Sequence, residues 1–547
     1  MADAVTTLGE ALLAGSRAGT GRITFHLAGG DVVLDELAVR ERSLARAAQL
    51  QSWGVERGDI VGVLGRNEPA WVEVAWATWL SGAALVPLPV PVRIRDKRAF
   101  AEQLDRLVSQ IGCDVVVGDP RLLPHVSPSL ARDWSEPLEA RAARPSLPHV
   151  QPDDVALIAC TSGSTAVPKG IPLDHTKMLE RYRRFLDANT AGARWVEVDR
   201  RLTWHPFFHA SGLQLVTEPI VTGKEAHVLP PERFARDPAL WLRLLTETEA
   251  TTTVTSSSAC DAAVRAAGPH ASGIDLSNLK GVCFSMEMID PDVVERFVAF
   301  GAPRGLDPTV VYSVYGLAEG GVTMTKYGDG IPVDEVDVDV LVRDGRAVPA
   351  RAGRASKRIA SCGRPLEGEL RVIGQDGDAL PELHVGEIVF RGPRMMDGYV
   401  DGATEPVRDG WLHTGDLGYL RDGDLYVTGR SKEVIVQFGR NYHPEDLEWA
   451  ATRVPRVATG GCVAFAAPDG AEGAAVLAVE NTSGADPDEL AAEVRAAVVN
   501  AVGLDPRDVV VVAEGAIPKA ANGKLRRLAA RELYARGELT SDRGMRA

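Results

Sequence analysis

Through the first 120 residues, apolar and polar positions switch between two periods. DIVGVLG (59–65) is a short apolar run closing on glycine, EPAWVEVAWATWLSG (68–82) repeats its apolar residues at helical spacing, and AALVPL (83–88) is again strand-like. CDVVVGD (113–119) continues the series. Strands alternating with helices predict βαβ units and a largely parallel sheet, hence an α/β fold. Prolines at 124, 128, 137, 145, 148 and 152 then predict an irregular connector over residues 123–152. VALIAC (155–160) is a buried strand leading straight into TSGSTAVPKG (161–170). That small, hydroxyl-rich stretch is therefore a loop leaving a strand end, where ligands gather in α/β sheets.

The pattern restarts near the C-terminus. VTGRSKEVIVQFGRNYHPEDLE (427–448) reads as a junction, followed by GCVAFAAPDG, DPDELAAEVRAAVVNAVG (486–503) and DVVVVAEG (508–515). Asp486 is placed as helix N-cap, Pro487 as the first helical residue and Gly503 as the stop. The chain thus carries a second, smaller α/β unit. A length of 547 residues agrees, being too great for one hydrophobic core.

Composition narrows the partners. With 45% hydrophobic and 25% charged residues the chain is of the soluble globular kind. A net charge of -15 argues against nucleic acid, which is held by clustered Lys and Arg, and means that a phosphate-bearing ligand needs local positive charge. The cysteines (113, 160, 260, 283, 362, 462) form no C-x-x-C pair, so they read as core residues in a reducing cytoplasm. MADAVTTLGEALLAG lacks the basic start and sustained apolar stretch of a secretory signal. No apolar run approaches the roughly 18 residues of a spanning helix, so no membrane span is expected.

In the hydroxyl-rich loop, amides freed by Gly163 and hydroxyls of Thr161, Ser162, Ser164 and Thr165 can surround phosphate oxygens, with Lys169 as a point charge. Neither it nor NGKL (522–525) satisfies the Walker spacing. YGLAE (315–319) puts Glu319 behind a Gly-containing turn. HTGDLG (413–418) puts Asp416 in a tight Gly-flanked turn, able to accept two hydrogen bonds from a diol. PKAANGKLRR (518–527) ends a polar loop with Lys524. Each alone is an ordinary loop feature; their order and spacing together are specific.

These stretches, with GEIVFRGPRMMDGY (386–399), resemble the adenylate-forming superfamily of acyl-CoA synthetases, adenylation domains and luciferases, from about residue 20 to 530. GRNYHPEDLE, SCGRP (361–365) and YGLAE look most like the fatty acyl-AMP ligase branch. The resemblance implies a large N-terminal domain (1–430) binding ATP and acid, a hinge (431–433) at Lys432 and a mobile C-terminal domain (434–547). It implies that a carboxylate attacks the α-phosphorus of ATP to give acyl-AMP and pyrophosphate, and that a thiol then takes the acyl group. Thr161 to Thr165 and Lys169 match the loop holding the β- and γ-phosphates, and Thr165 is carried over as catalytic with Glu319 and Lys524. Glu319 matches the Mg2+-ligating carboxylate and Lys524 the lysine bridging carboxylate and α-phosphate. Asp416 and Arg430 match the ribose contacts, while Glu287, Tyr315, Gly316 and Leu317 match the adenine site. The acyl pocket is expected to draw on His205, Phe207, His209, Ser211 and Gly212, and on Ser258, Cys260 and Tyr312.

The sequence also departs from the family pattern. Ala166 replaces the glycine that usually follows TSGST, and alanine pays a penalty at positive φ. Ser285 and Met286 stand where relatives have a Gly-Ala pair before Glu287. Ala210 and Ser211 replace the Asp-Met that the ligase branch commonly has after His209. Pro206 opposes a helix presenting His205 and His209 together to a metal, so His209 is read as a pocket wall or gate. Small residues in TSSSACDAAV (255–264) either leave room for a bulky acid or pack a tight element.

Residues 326–360 resemble the extra segment that marks acyl-AMP ligases and implies a hindered CoA-competent pose. VDVDVLV (336–342) alternates at period two and suits a strand hairpin, and RAGRASKR (351–358) reads as a basic exposed turn. The leading expectation is a ligase delivering its acyl group to an acyl carrier protein's phosphopantetheine thiol, in bacterial lipid or natural-product assembly by analogy. The alternative is a complete acyl-CoA synthetase; a non-catalytic sensor would more simply lack Lys524, Glu319 or Asp416, and all are present.

Overall fold

The computed structural model describes residues 5–539 apart from 17–18, 95, 139–144, 161–168, 191–198, 269–270, 326–328, 394, 403–406, 438–439, 459, 469–473 and 521–522. The early apolar runs form a parallel sheet in the order Ala131–Asp133, Val115–Gly118, Ile60–Leu64, Ala84–Pro87 and Val155–Cys160, closed by the antiparallel strand Gly170–Asp174. Helix Pro69–Leu80 buries every residue from Trp71 onward, as an all-round apolar helix must. Its Trp79 Nε1–H donates to Ala156 O at 2.8 Å, fixing the strand that precedes the hydroxyl-rich run. The connector of 123–152 is not wholly irregular: Ala131–Asp133 joins the sheet edge beside Val115–Gly118.

The second sheet is edged by the antiparallel strand Gly30–Asp35 and then runs parallel. Arg22–Leu27, Glu225–Val228, Arg200–Thr203, Thr252–Thr255, Gly281–Phe284 and Val311–Leu317 lie side by side. Val311–Leu317 is parallel to Gly281–Phe284 on one side and antiparallel to Gly320–Met324 on the other. Beyond it follow Ser356–Pro365, Asp424–Arg430, Trp411–Arg421, Gly386–Arg391 and Glu369–Ile373, all antiparallel. The carboxyl end of Val311–Leu317 opens onto a cleft, the side on which α/β sheets bind ligands.

A one-turn helix, Ser431–Glu433, separates this sheet from a smaller unit with its own core. There Cys462–Ala466 pairs antiparallel, and Asp508–Ala513 parallel, with Ala475–Asn481. Helix Pro487–Val502 begins where expected: Asp486 accepts from Asp488 N and Glu489 N, and Gly503 stops it at φ 72°. Leu490, Val494 and Val498, at helical spacing, are its buried face.

The segment of 326–360 corrects one expectation. Val333–Asp337 does pair antiparallel with Ser356–Pro365, but the period-two run turns helical at Val338–Asp344. Asp337 caps the helix by accepting from Val340 N, and Gly345 closes it at φ 62°; these end signals outweigh a short alternation. The segment then leans on the smaller unit. Val342 packs against that unit's core, Lys357 Nζ lies 2.7 Å from Asp446, and Arg440 lies 3.5 Å from Asp339.

Candidate active site

A cleft of about 1540 Å³ runs between the two units and into the larger one. Asp416 lies on its wall, inside strand Trp411–Arg421 rather than in the turn expected for TGD; Gly415, at φ 70°, bends the strand there. The sheet register sets Asp416 opposite Arg430, so their contact (Arg430 Nε to Oδ1, 3.0 Å) is a cross-strand pair. Tyr315 O–H donates to the other oxygen at 2.8 Å. Burial raises the Asp416 carboxyl above its ordinary value, and Arg430 works against that rise.

Glu319 follows strand Val311–Leu317. Its carboxylate accepts from Tyr399 O–H at 3.2 Å, and its carbonyl accepts from Met396 N at 2.8 Å. Lys169 Nζ stands 4.5 Å from the centre of the Tyr399 ring, so a cation and an acid converge on one tyrosine. Glu287 is clasped by Ser258, whose N–H and Oγ–H donate to it at 2.6 and 3.1 Å. Before it, Met286 adopts φ 77°, a left-handed conformation costly for a side chain of that size, while Ser285 Oγ–H donates to Val314 O at 2.8 Å.

Lys524 enters the cleft from the smaller unit. It sits on a tight hairpin held by Ala520 N to Lys524 O (2.7 Å) and Arg526 N to Pro518 O (3.0 Å). Burial, then the repulsion of Arg430, push its ammonium below the ordinary lysine value; Glu287, Asp416 and Glu319 pull it back. One lysine is therefore in electrostatic reach of the clasped glutamate, the cross-strand acid and the tyrosine-bound acid.

His209 caps helix Ala210–Thr222, its Nδ1 accepting from Ser211 N at 3.3 Å. Ser211 Oγ lies 2.7 Å from that nitrogen and 2.9 Å from His205 Nδ1. Burial lowers His209 to about 4 and His205 to about 3, so both rings are neutral near neutral pH. Among the described residues no group of three His, Cys, Asp or Glu side chains could hold a metal. His209 is a wall of the cleft.

The structure brings Lys169, Glu287, Tyr315, Gly316, Leu317 and Glu319 to the cleft, together with Asp416, Arg430, Lys432 and Lys524. Of the expected acyl-pocket residues, His209, Ser211 and Ser258 line it. His205, Phe207, Gly212, Cys260 and Tyr312 do not. His205 is fully buried behind Ser211, and Phe207 packs 5.2 Å from Trp71 in the core. A side chain at Gly212 would meet Pro206 O at 2.1 Å, so that glycine serves a close backbone approach. Cys260 sits in the core with Ala259 and Ala263 of helix Ser257–Ala267, so these small residues pack that helix rather than open a pocket. Tyr312 borders a separate small void with Arg201 and Thr252. Thr161, Ser162, Gly163, Ser164, Thr165 and Ala166 lie outside the described residues.

Two features were not foreseen. Tyr399 closes GEIVFRGPRMMDGY, and its aromatic ring was the available signal. An apolar arm lined by Ile94, Phe100, Leu104, Leu107 and Leu157 gave none, because Leu104 and Leu107 read as an ordinary buried helix face.

A two-unit α/β protein whose cleft gathers acids, a cross-strand Asp–Arg pair and a lysine from the smaller unit is built to bind a nucleotide and activate another group with it. The AMP-binding enzyme family matches residues 37–400, and the chain belongs to that family, an adenylate-forming ligase that uses ATP. A Mycobacterium tuberculosis protein named "Putative ligase" is 35% identical over 89% of this chain and 92% of its own length. The long-chain-fatty-acid–AMP ligase FadD32 of Mycolicibacterium smegmatis is 31% identical over 71% of this chain and 70% of its own. The solved fatty acyl-adenylate ligases of E. coli and L. pneumophila include a chain of TM-score 0.88 at 26% identity, covering 98% of each.

Proposed function

We propose that the protein is an acyl-AMP ligase. A carboxylate oxygen attacks the α-phosphorus of ATP, the bond to the bridging oxygen breaks, and pyrophosphate leaves. The sulfur of a carrier protein's phosphopantetheine then attacks the acyl carbon and AMP leaves. The observation that carries this reading is Lys524 inside the cleft, facing Glu319, Asp416 and Glu287 from the other unit. Carboxylate and triphosphate repel one another, and a cation held in a water-poor cleft offsets that repulsion far better than one in bulk water. Lys524 bridges the two reactants, Asp416 and Arg430 orient the ribose, and Tyr315, Gly316 and Leu317 line the adenine site. Lys169 meets the outer phosphates, the role that the TSGST sequence of 161–165 also implies.

The donor set suits magnesium: Glu319 presents an oxygen ligand to the cleft, and Mg2+ is commonly held by one or two carboxylates plus substrate phosphates. When bound, the ion neutralises phosphate charge. The hinge is assigned to Lys432, exposed on the short turn between the units, with 1–430 and 434–547 as the moving bodies. A carrier thiol rather than CoA is favoured because the segment of 326–360 is tied to the smaller unit through Lys357 and Val342. The apolar arm beside Leu104 and Leu107 favours an acid with a hydrocarbon body.

The test is a panel of acids (dodecanoate, hexadecanoate, 4-hydroxybenzoate, 2-oxo acids) with ATP and Mg2+, with and without CoA, read by mass. Acyl-AMP that accumulates while acyl-CoA stays minor supports the reading. Abundant acyl-CoA makes the protein a full acyl-CoA synthetase, and no acid-dependent pyrophosphate from any acid removes the enzymatic reading.

A further inference from the structure

Lys524 can act only if its hairpin arrives in the cleft at a fixed height, yet the hairpin is short and polar. What fixes it lies three residues on. Arg527 opens helix Arg527–Ala535 and is 14% exposed. Its guanidinium meets three carboxylates: Glu433 Oε2 at 2.5 Å, Glu445 Oε1 at 3.0 Å and, through two nitrogens, Glu448 at 2.7 and 2.8 Å. Glu445 and Glu448 belong to helix Pro444–Thr452 of the same unit, so those contacts pack one element on another. Glu433 is different. It ends the turn Ser431–Glu433 that joins the two units, is 7% exposed on its side chain, and follows Lys432 directly.

We propose that Glu433 and Arg527 form the positioning link that ties the interdomain turn to the Lys524 hairpin, so that turn and lysine move as one body. The proposal rests on the reading of Lys524 given above. A planar guanidinium gripped on several edges fixes direction as well as distance, which a single point contact cannot do. Three carboxylates around one cation are also more than packing requires: Glu445 Oε2 is buried with no hydrogen-bond partner. Extra buried acid is expensive unless its place matters. Removing Glu433 leaves the guanidinium gripped by Glu445 and Glu448, so the smaller unit retains its internal pair.

The experiment uses the full chain with ATP, Mg2+ and whichever acid of the panel turns over fastest. Glu433→Ala is expected to lower kcat for acid-dependent pyrophosphate release at least tenfold, with KM for ATP and acid within about twofold of the unaltered enzyme. Glu433→Gln, which keeps an acceptor oxygen for Arg527, is expected to recover most of that loss. Arg527→Gln is expected to lower kcat at least as far and to reduce thermal stability as well, since it strands three buried carboxylates. An unchanged kcat in Glu433→Ala, a loss confined to KM, or a loss that vanishes well below the variant's melting temperature overturns the proposal. Lys524→Ala runs beside them: if it retains turnover, the reading of Lys524 itself fails, whatever Glu433 does.

Discussion

Lys524 carries its charge into a cleft where burial and the Arg430 guanidinium both favour its neutral form. In the proposed reaction the ammonium, not the neutral amine, offsets the repulsion between carboxylate and triphosphate, so activity is expected below the lysine's folded pKa and is lost as pH rises through it. The expected outcome is an alkaline limb in the rate of pyrophosphate release that lies below the ordinary lysine range. Arg430→Gln removes the repulsive neighbour, so whatever activity remains should show that limb at higher pH, as a pH–rate profile would reveal. Lys524→Ala should cost on the order of 10²–10³-fold in kcat, by comparison with loss of one preorganised donor. Its melting temperature should stay within a few degrees of the parent, because a partly buried charge contributes little net stability. At this scale the motifs told much: Asp416, Arg430, Glu319, Lys169 and Lys524 converge on one cleft. Tyr312 could not be placed in the same way, since nothing in a short apolar run says which side of a two-faced sheet a side chain takes, and Cys260 turned inward on a helix whose small residues show no clear apolar stripe.

The elements that meet at the interdomain turn constrain one another. Gly429, in strand Asp424–Arg430, lies against His443: a Cβ there would stand 2.3 Å from Nδ1 and 3.0 Å from Cγ. His443 is buried and directly precedes helix Pro444–Thr452, so the ring has nowhere to retreat without moving the helix. Gly429→Ala is therefore expected to destabilise by about 1–3 kcal/mol, the usual cost of overpacking. It should also lower kcat, because the helix it displaces carries Glu445 and Glu448; calorimetry together with a pyrophosphate assay reads both effects. Elements with strong end signals were legible in the sequence, as Asp486, Pro487 and Gly503 delimit helix Pro487–Val502. Val338–Asp344 was not, because its Val-Asp alternation imitates a strand and its cap, Asp337, is itself one of the alternating residues. Which distant elements would touch was also illegible: the Arg527 cluster joins residues 79 to 94 positions apart.

The molecule as a whole is acidic, with a net charge of -15, yet it gathers Lys169, Arg430 and Lys524 on one cleft for an anionic ligand. The proposed preference for a carrier thiol turns on a freedom that belongs to the assembled chain. If the smaller unit must rotate to admit CoA, the segment of 326–360 resists through its contacts with that unit. The Lys357–Asp446 pair is shielded, at 10% and 16% side-chain exposure, and Val342 lies against the smaller unit's core. Separating a shielded pair and exposing an apolar side chain together cost about 2–4 kcal/mol, enough to hold a competing orientation to a few per cent or less. Lys357→Ala combined with Val342→Asp removes both contacts and leaves Lys169, Glu319, Asp416, Arg430 and Lys524 in place. The expected outcome is a severalfold rise in the ratio of acyl-CoA to acyl-AMP at fixed CoA, with the initial rate of pyrophosphate release changed less than that ratio. If the ratio stays where it was, these contacts do not restrain the smaller unit, and preference among thiols must be set inside the cleft, at walls such as His209 and Ser211.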